Sequence, residues 1–190
     1  LKHIMRLAAL EFGNDIEDIG LNGDTTYTGA DEAFLTITDG WLKIAKADAI
    51  SYDTNASTDY MDVVFPAMVD ALPEKYRRDK SKLRFYVPDS VKQAYIRQIA
   101  GTNTSAALPY LTGEADPPYE GIPIKSIPKM PGGHLLLTFP RNLAYGIDAS
   151  GIERGFDTRI VERVLDAVIY APIGFQIANE EALVIGYDVI

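Results

Sequence analysis

Residues 14–25 read Asn14-Asp15-Ile16-Glu17-Asp18-Ile19-Gly20-Leu21-Asn22-Gly23-Asp24-Thr25, and residues 39–43 read Asp39-Gly40-Trp41-Leu42-Lys43. The first stretch closes an amphipathic helix. Upstream of it Leu1, Ile4, Met5, Ala8, Phe12, Ile16 and Ile19 recur at helical spacing, with Lys2, Arg6, Asn14 and Glu17 largely on other faces. Gly20 is the expected stop and Asn22-Gly23-Asp24 the expected turn. No Ser, Thr, Asp or Asn stands before Leu1 to cap the free N–H groups, so we expect upstream sequence to be missing. The second stretch falls in a predicted helix over Ala33–Ala47, with Phe34, Ile37, Trp41, Leu42 and Ala45 on its apolar side and Gly40 weakening it.

Further on, residues 51–59 read as a polar loop. A helix is predicted over Asp59–Leu72, with Pro66 in its first turn or at a kink. Leu83–Val87 reads as a strand, and Pro88-Asp89 opens a helix that Gly101 ends. Residues 102–121, rich in Thr, Ser, Pro and Gly, read as an exposed excursion. Strands are then expected at Ile122–Ile127, Leu135–Phe139, Leu143–Ile147, Ile152–Phe156, Arg159–Tyr170 and Leu183–Val189. Helices come first and strands later, without alternation, which predicts an α+β fold.

The chain has 190 residues with 27 acidic and 18 basic side chains, a formal charge of −9. That balance repels phosphate and argues against sequence-specific DNA binding. With no cysteine, disulfides, thiolate metal sites and a cysteine nucleophile are excluded. No stretch is long enough to span a membrane and no leader is visible, so we expect a soluble, intracellular protein.

Catalytic patterns are missing. His3 and His134 lack partners at zinc spacing, and His3 reads as a solvent-facing helix residue. Ser150 sits in a turn-like Asp-Ala-Ser-Gly and not in a nucleophile elbow. Gly132-Gly133 follows Pro131 as a loop tip, without a phosphate-binding signature. Asn22, Asp24 and Thr26 alternate as in a calcium loop, but the glycine and closing glutamate are misplaced. Asp15, Glu17 and Asp18 could be paired catalytic carboxylates; a solvated acidic helix end is the favoured reading. We therefore expect no enzyme, no cofactor and no metal.

Charge is strongly segregated. From Glu11 to Gly40 stand Glu11, Asp15, Glu17, Asp18, Asp24, Asp31, Glu32 and Asp39, with no Lys or Arg. From Glu74 to Arg84 stand Lys75, Arg77, Arg78, Lys80, Lys82 and Arg84. Solvated faces explain both runs; so do complementary patches that meet head-to-tail between identical subunits. On the second reading Glu11, Asp15, Glu17 and Asp18 face Lys75, Arg77, Arg78, Lys80, Lys82 and Arg84 across a subunit interface. A phosphate-binding role for the basic loop is the third option.

The two quoted stretches, in order with Leu72-Pro73, Tyr76-Arg77-Arg78, Phe85-Tyr86-Val87, Gly121-Ile122-Pro123-Ile124, Leu135-Leu136-Leu137-Thr138 and Asn142-Leu143, resemble major capsid proteins of tailed bacteriophages, which share the Hong Kong 97-type fold. The resemblance implies a spine helix, a peripheral (P) domain and an axial (A) domain. Residues 1–44 would hold the spine helix and part of the P domain, 45–140 the A domain, 141–182 P-domain strands, and 183–190 a strand returning to the A domain. The 102–121 excursion and the Pro131-Gly132-Gly133 tip would lie around capsomer axes. In that family an arm and an extended loop precede the spine helix. The abrupt start at Leu1 therefore leads us to expect an N-terminally truncated chain that associates weakly in dilute solution, with no residue assigned to cross-linking.

The implied function is structural: a phage or prophage capsid subunit that assembles with copies of itself into hexamers and pentamers. Its implied partners are a portal and a scaffold or maturation protease, and it would enclose DNA without reading its sequence and without a membrane. An acidic lining would let packaged DNA slide. The implied location is the virion, after assembly in the bacterial cytoplasm. Two alternatives stay open: an encapsulin-type nanocompartment shell, and an α+β hydrolase or ligand-binding domain, which would need a deep polar pocket.

Overall fold

A computed structural model describes residues 2–102, 104–147, 156–161, 164–169 and 172–188. The elements are α1 (Lys2–Asn22), α2 (Glu32–Leu35), α3 (Trp41–Asp48), β1 (Ile50–Asp53), a π turn (Tyr60–Val64) running into α4 (Phe65–Ala71), α5 (Glu74–Arg77), β2 (Arg84–Val87), α6 (Asp89–Thr102), α7 (Thr104–Leu111), β3 (Pro118–Tyr119), β4 (Ile122–Ser126), β5 (His134–Thr138), β6 (Leu143–Ile147), β7 (Phe156–Val161), β8 (Val164–Ile169), β9 (Ile173–Ile177) and β10 (Leu183–Tyr187).

Six strands form one mixed sheet in the order β1-β10-β5-β2-β4-β3. β1 runs parallel to β10 and β2 parallel to β4; the other neighbours are antiparallel. Side chains alternate between its faces with period two. Leu135, Leu137, Phe85, Val87 and Val184 face the layer made by the π turn, α4 and α6. Leu136, Leu183 and Ile185 face Leu42 and Ala45 of α3 and Leu21 at the end of α1. Buried on both faces, β5 reads as an unbroken apolar run instead of an alternating one. The first face is aromatic: the Phe65 ring lies 4.7 Å from Phe85, 5.2 Å from Tyr95 and 5.5 Å from Tyr119. Burial, then the neighbouring Tyr119 and Tyr110, pushes the Tyr95 phenol up to about 12, and its hydroxyl donates to the Pro118 carbonyl.

Outside this sheet, β6 pairs with β9 and β7 with β8, each as a two-stranded antiparallel ribbon. A buried polar network ties the β6–β9 ribbon to the sheet. Asn142 Nδ2 donates to Thr138 Oγ1 and to the Asn179 carbonyl, Asn142 Oδ1 accepts from the Asn179 N–H, and Thr138 Oγ1 donates to the Ala182 carbonyl.

Several expectations are corrected. α1 continues through Gly20 to Asn22; Gly20 serves close packing there instead of a stop, since a Cβ would lie 2.8 Å from the Phe175 ring. The predicted Ala33–Ala47 helix is two helices. Gly40 adopts an extended conformation between them and pairs with Gly23, its N–H donating to the Gly23 carbonyl at 2.8 Å. The 51–59 loop begins with β1, and the 102–121 excursion holds α7, packed along α6. β9 was not foreseen, and Arg159–Tyr170 is no single strand, since β7 pairs back on β8 there. Leu1, Ser150, most of Ile152–Phe156, Tyr170 and Val189 lie outside the described residues.

Candidate subunit-contact surfaces

The two quoted stretches meet and build a joint. Asn22 Nδ2 donates to Asp18 Oδ1 and to the Lys129 carbonyl. Asp24 Oδ1 accepts from the Thr26 N–H and from Lys43 Nζ, the latter at 2.6 Å. Asp39 Oδ1 accepts from the N–H and the hydroxyl of Thr25, and lies 2.9 Å from Lys43 Nζ. Trp41 donates from Nε1 to the Ala144 carbonyl and stands edge-on to Phe175 at 5.1 Å. These residues therefore lock α1, α3 and the β6–β9 ribbon together. The calcium-like spacing of Asn22, Asp24 and Thr26 is filled by a lysine: hydrogen bonds from Lys43 and Thr26 hold the Asp24 carboxyl at about 2. Asp39 is likewise held below its usual value by Lys43 and Thr25, and Lys43 is raised by both carboxylates.

Along α1, Glu11, Asp15 and Asp18 follow one line at spacings of four and three residues, while Glu17, two residues from Asp15, is about 200° around the helix. The three carboxylates suspected of pairing do not converge. Asp15 is exposed. Burial works to raise Asp18, but hydrogen bonds from Asn22 and Lys129 outweigh it and leave its carboxyl below the usual range. Glu17 is half-buried, and its Oε1 has no hydrogen-bond partner among the described residues. Lys129, 2.9 Å from Asp18, is raised by Asp18 first and also feels Glu11 and Asp15.

Beside this acidic line runs an apolar groove of about 470 Å³ between α1, the 34–38 segment and β9, lined by Phe12, Ile16, Ile19, Phe34, Ile37 and Phe175, with Asp15 on its rim. Ile37 is 64% exposed. Leu7 and Leu10, farther out on α1, are also more than half exposed.

The basic run forms a corner around α5. Much of it is neutralised within the chain: Lys75 pairs with Glu181, Arg77 with Asp70, Lys80 with Glu120 and Lys82 with Asp79. Arg84 donates to the Ser81 and Leu83 carbonyls. Arg78 is exposed, and its side chain has no partner among the described residues. It helps line a groove of about 670 Å³ in which Pro66 and Val69 stand among the charged Asp70, Glu74, Lys75, Arg77, Lys80 and Glu120. Sequence reasoning found the charges but missed the carboxylates that answer them, since Glu181 is 106 positions from Lys75.

His3 is exposed, as expected. Burial, then Lys46, lowers His134, whose Nδ1 is buried without a partner among the described residues. Among those residues no three His, Asp or Glu side chains stand together as a metal site, and no helix is long and apolar enough to cross a membrane.

No protein-family model and no curated protein sequence matches the chain. Solved structures do. A chain in the satellite phage P4 procapsid that includes the size-determination (Sid) protein matches over 100% of this chain with a TM-score of 0.70 and 14% identity. A chain of the holo-SrpI encapsulin complex from Synechococcus elongatus PCC 7942 matches over 97% with a TM-score of 0.50 and 16% identity. This chain spans 64% of the length of each of them. It has the α+β, Hong Kong 97-type fold of phage and encapsulin shells.

Proposed function

We propose that this chain is the structural subunit of a phage or prophage icosahedral capsid, assembling with copies of itself into hexamers and pentamers around double-stranded DNA. The likeness to a procapsid chain along the whole of this chain carries the reading. The six-stranded sheet and its helices would be the A domain, residues 45–140 with 183–190. The spine helix α1 with residues to 44, and strands in 141–182, would be the P domain. Glu11, Asp15, Glu17 and Asp18 on one side, and Lys75, Arg77, Arg78, Lys80, Lys82 and Arg84 on the other, would lie at subunit contacts. A portal and a scaffold or maturation protease would be partners, with assembly in the host cytoplasm and the virion as destination.

Electron microscopy of the full-length gene product expressed alone tests this: closed particles are expected, and a dispersed monomer at every concentration would overturn it. An encapsulin-type shell is the second reading, favoured by the likeness to the SrpI complex. Particles purified from the native host that contain protein cargo and no DNA would select it.

A further inference from the structure

His134 begins β5 where the six-stranded sheet meets α3 and the end of α1, with Tyr187 of β10 opposite it in the register. It lines two spaces. One is a hollow of about 130 Å³ under the α1–α3 joint, shared with Leu21, Asp24, Leu42 and Lys43. The other is a groove of about 640 Å³ shared with Ser51 and Asp53 of β1 and with Tyr187 and Asp188 at the end of β10. Lys46 of α3 borders both.

Nδ1 of His134 is fully buried and has no hydrogen-bond partner among the described residues. The groups that face the ring are Lys43 and Lys46 from α3, Asp24 from the turn after α1, Asp53 from β1, and Tyr187 and Asp188 from the end of β10. Two of the carboxylates are already engaged: Asp24 accepts from Lys43 and Thr26, and Asp53 accepts from the Asn55 N–H. A neutral imidazole tolerates this setting, because Nδ1 can be its unprotonated nitrogen. An imidazolium does not. It would carry a buried N–H without an acceptor and a positive charge beside Lys46.

We propose that His134 is an acid-operated latch between α3 and the six-stranded sheet. Neutral, it packs in the seam; protonated from solvent, it must leave, and α3 with the last turn of α1 loosens from β5 and β10. Burial first, and then Lys46, lowers the imidazole below its ordinary value. The open seam therefore binds the proton more readily than the closed one. Closure is fully stable above the ordinary histidine value of about 6.5 and weakens as pH falls through it. The facing carboxylates titrate well below that window, Asp24 at about 2. The chain's other histidine, His3, is exposed near the start of α1 and serves as a control.

The test follows backbone amide exchange of the whole chain at about pH 7 and about pH 5, corrected for the intrinsic pH dependence of exchange. In the wild type, α3 and the last turn of α1 are expected to lose protection about tenfold in acid while β2 and β4 keep theirs. His134→Phe, which keeps a ring and takes no proton, and His134→Gln are expected to remove that difference. His3→Gln is expected to leave it in place. Equal protection of α3 at both pH values would overturn the latch, as would an acid response that survives in either His134 variant or disappears in His3→Gln. A loosening shared equally by β2 and β4 would overturn it too, as a loss of global stability. If neither His134 variant folds, an NMR titration of His3→Gln, in which His134 is the one remaining imidazole, decides: a midpoint below about 6.5 supports the latch and one at or above it overturns it.

Discussion

A methyl group on Gly40 would lie 2.7 Å from the Ile19 carbonyl oxygen and 2.8 Å from that of Gly20. Both obstacles are backbone, so Gly40→Ala is expected to cost about 1–3 kcal/mol in urea unfolding. The opposite sign is expected at Ala56. Asn55 and Ala56 have φ of 49° and 54°, and the Ser57 N–H donates to the Thr54 carbonyl, a tight turn whose second central position favours glycine. Ala56→Gly should therefore stabilise the chain by about 0.5–1 kcal/mol, read as a higher midpoint. Acid sensitivity belongs to single carboxylates too. Lys43 and Thr26 hold Asp24 at about 2, and Lys125 and Lys92 hold Asp116 at about 2. Both values lie below the unfolded value of about 3.9. Their stabilisation is complete above that value and is lost as pH falls through about 2. In Tm measured against pH, the gap between wild type and Asp24→Asn should be widest at neutral pH and close toward pH 2. Asp116→Asn should behave alike.

Elements meet through few residues, and Asn142 holds one such junction. Its side chain makes three hydrogen bonds between the end of β5, the start of β6 and the β9–β10 link. Asn142→Ala would strand the Asn179 N–H and carbonyl, at an expected cost of about 2–4 kcal/mol by chemical denaturation. The Asn142-Leu143 pair was legible in the sequence as part of a resemblance, but its role was not, because its partner lies 37 positions on. The same limit explains the elements that were missed. β1 alternates half-buried and exposed residues and pairs with a strand more than 130 positions away, so Ser-Tyr-Asp looks like loop. The break at Gly40 follows from contact with Gly23, which helix propensity does not encode. Elements with a strong local signal, the helical period of α1 and the apolar runs of β5 and β6, are legible to within a few residues. At the candidate contacts, residue types were readable and the internal ion pairs were not.

At the scale of the molecule, stability is expected to concentrate where both sheet faces are covered. Leu135, Leu136, Leu137, Leu183, Val184 and Ile185 are fully buried. Amide exchange should therefore be slowest in β5 and β10, close to the rate set by global unfolding, and faster by orders of magnitude in the exposed turns of α1 around Leu7 and Leu10. Comparable protection in both would contradict this layering. The position of β10 has a temporal consequence. It lies inside the sheet, between β1 and β5, although the chain reaches it after the other strands of that sheet. A ribosome must therefore emit the residues through Tyr187 before β1 has any neighbour to join, and a nascent chain cut off earlier carries a gap in the middle of its sheet.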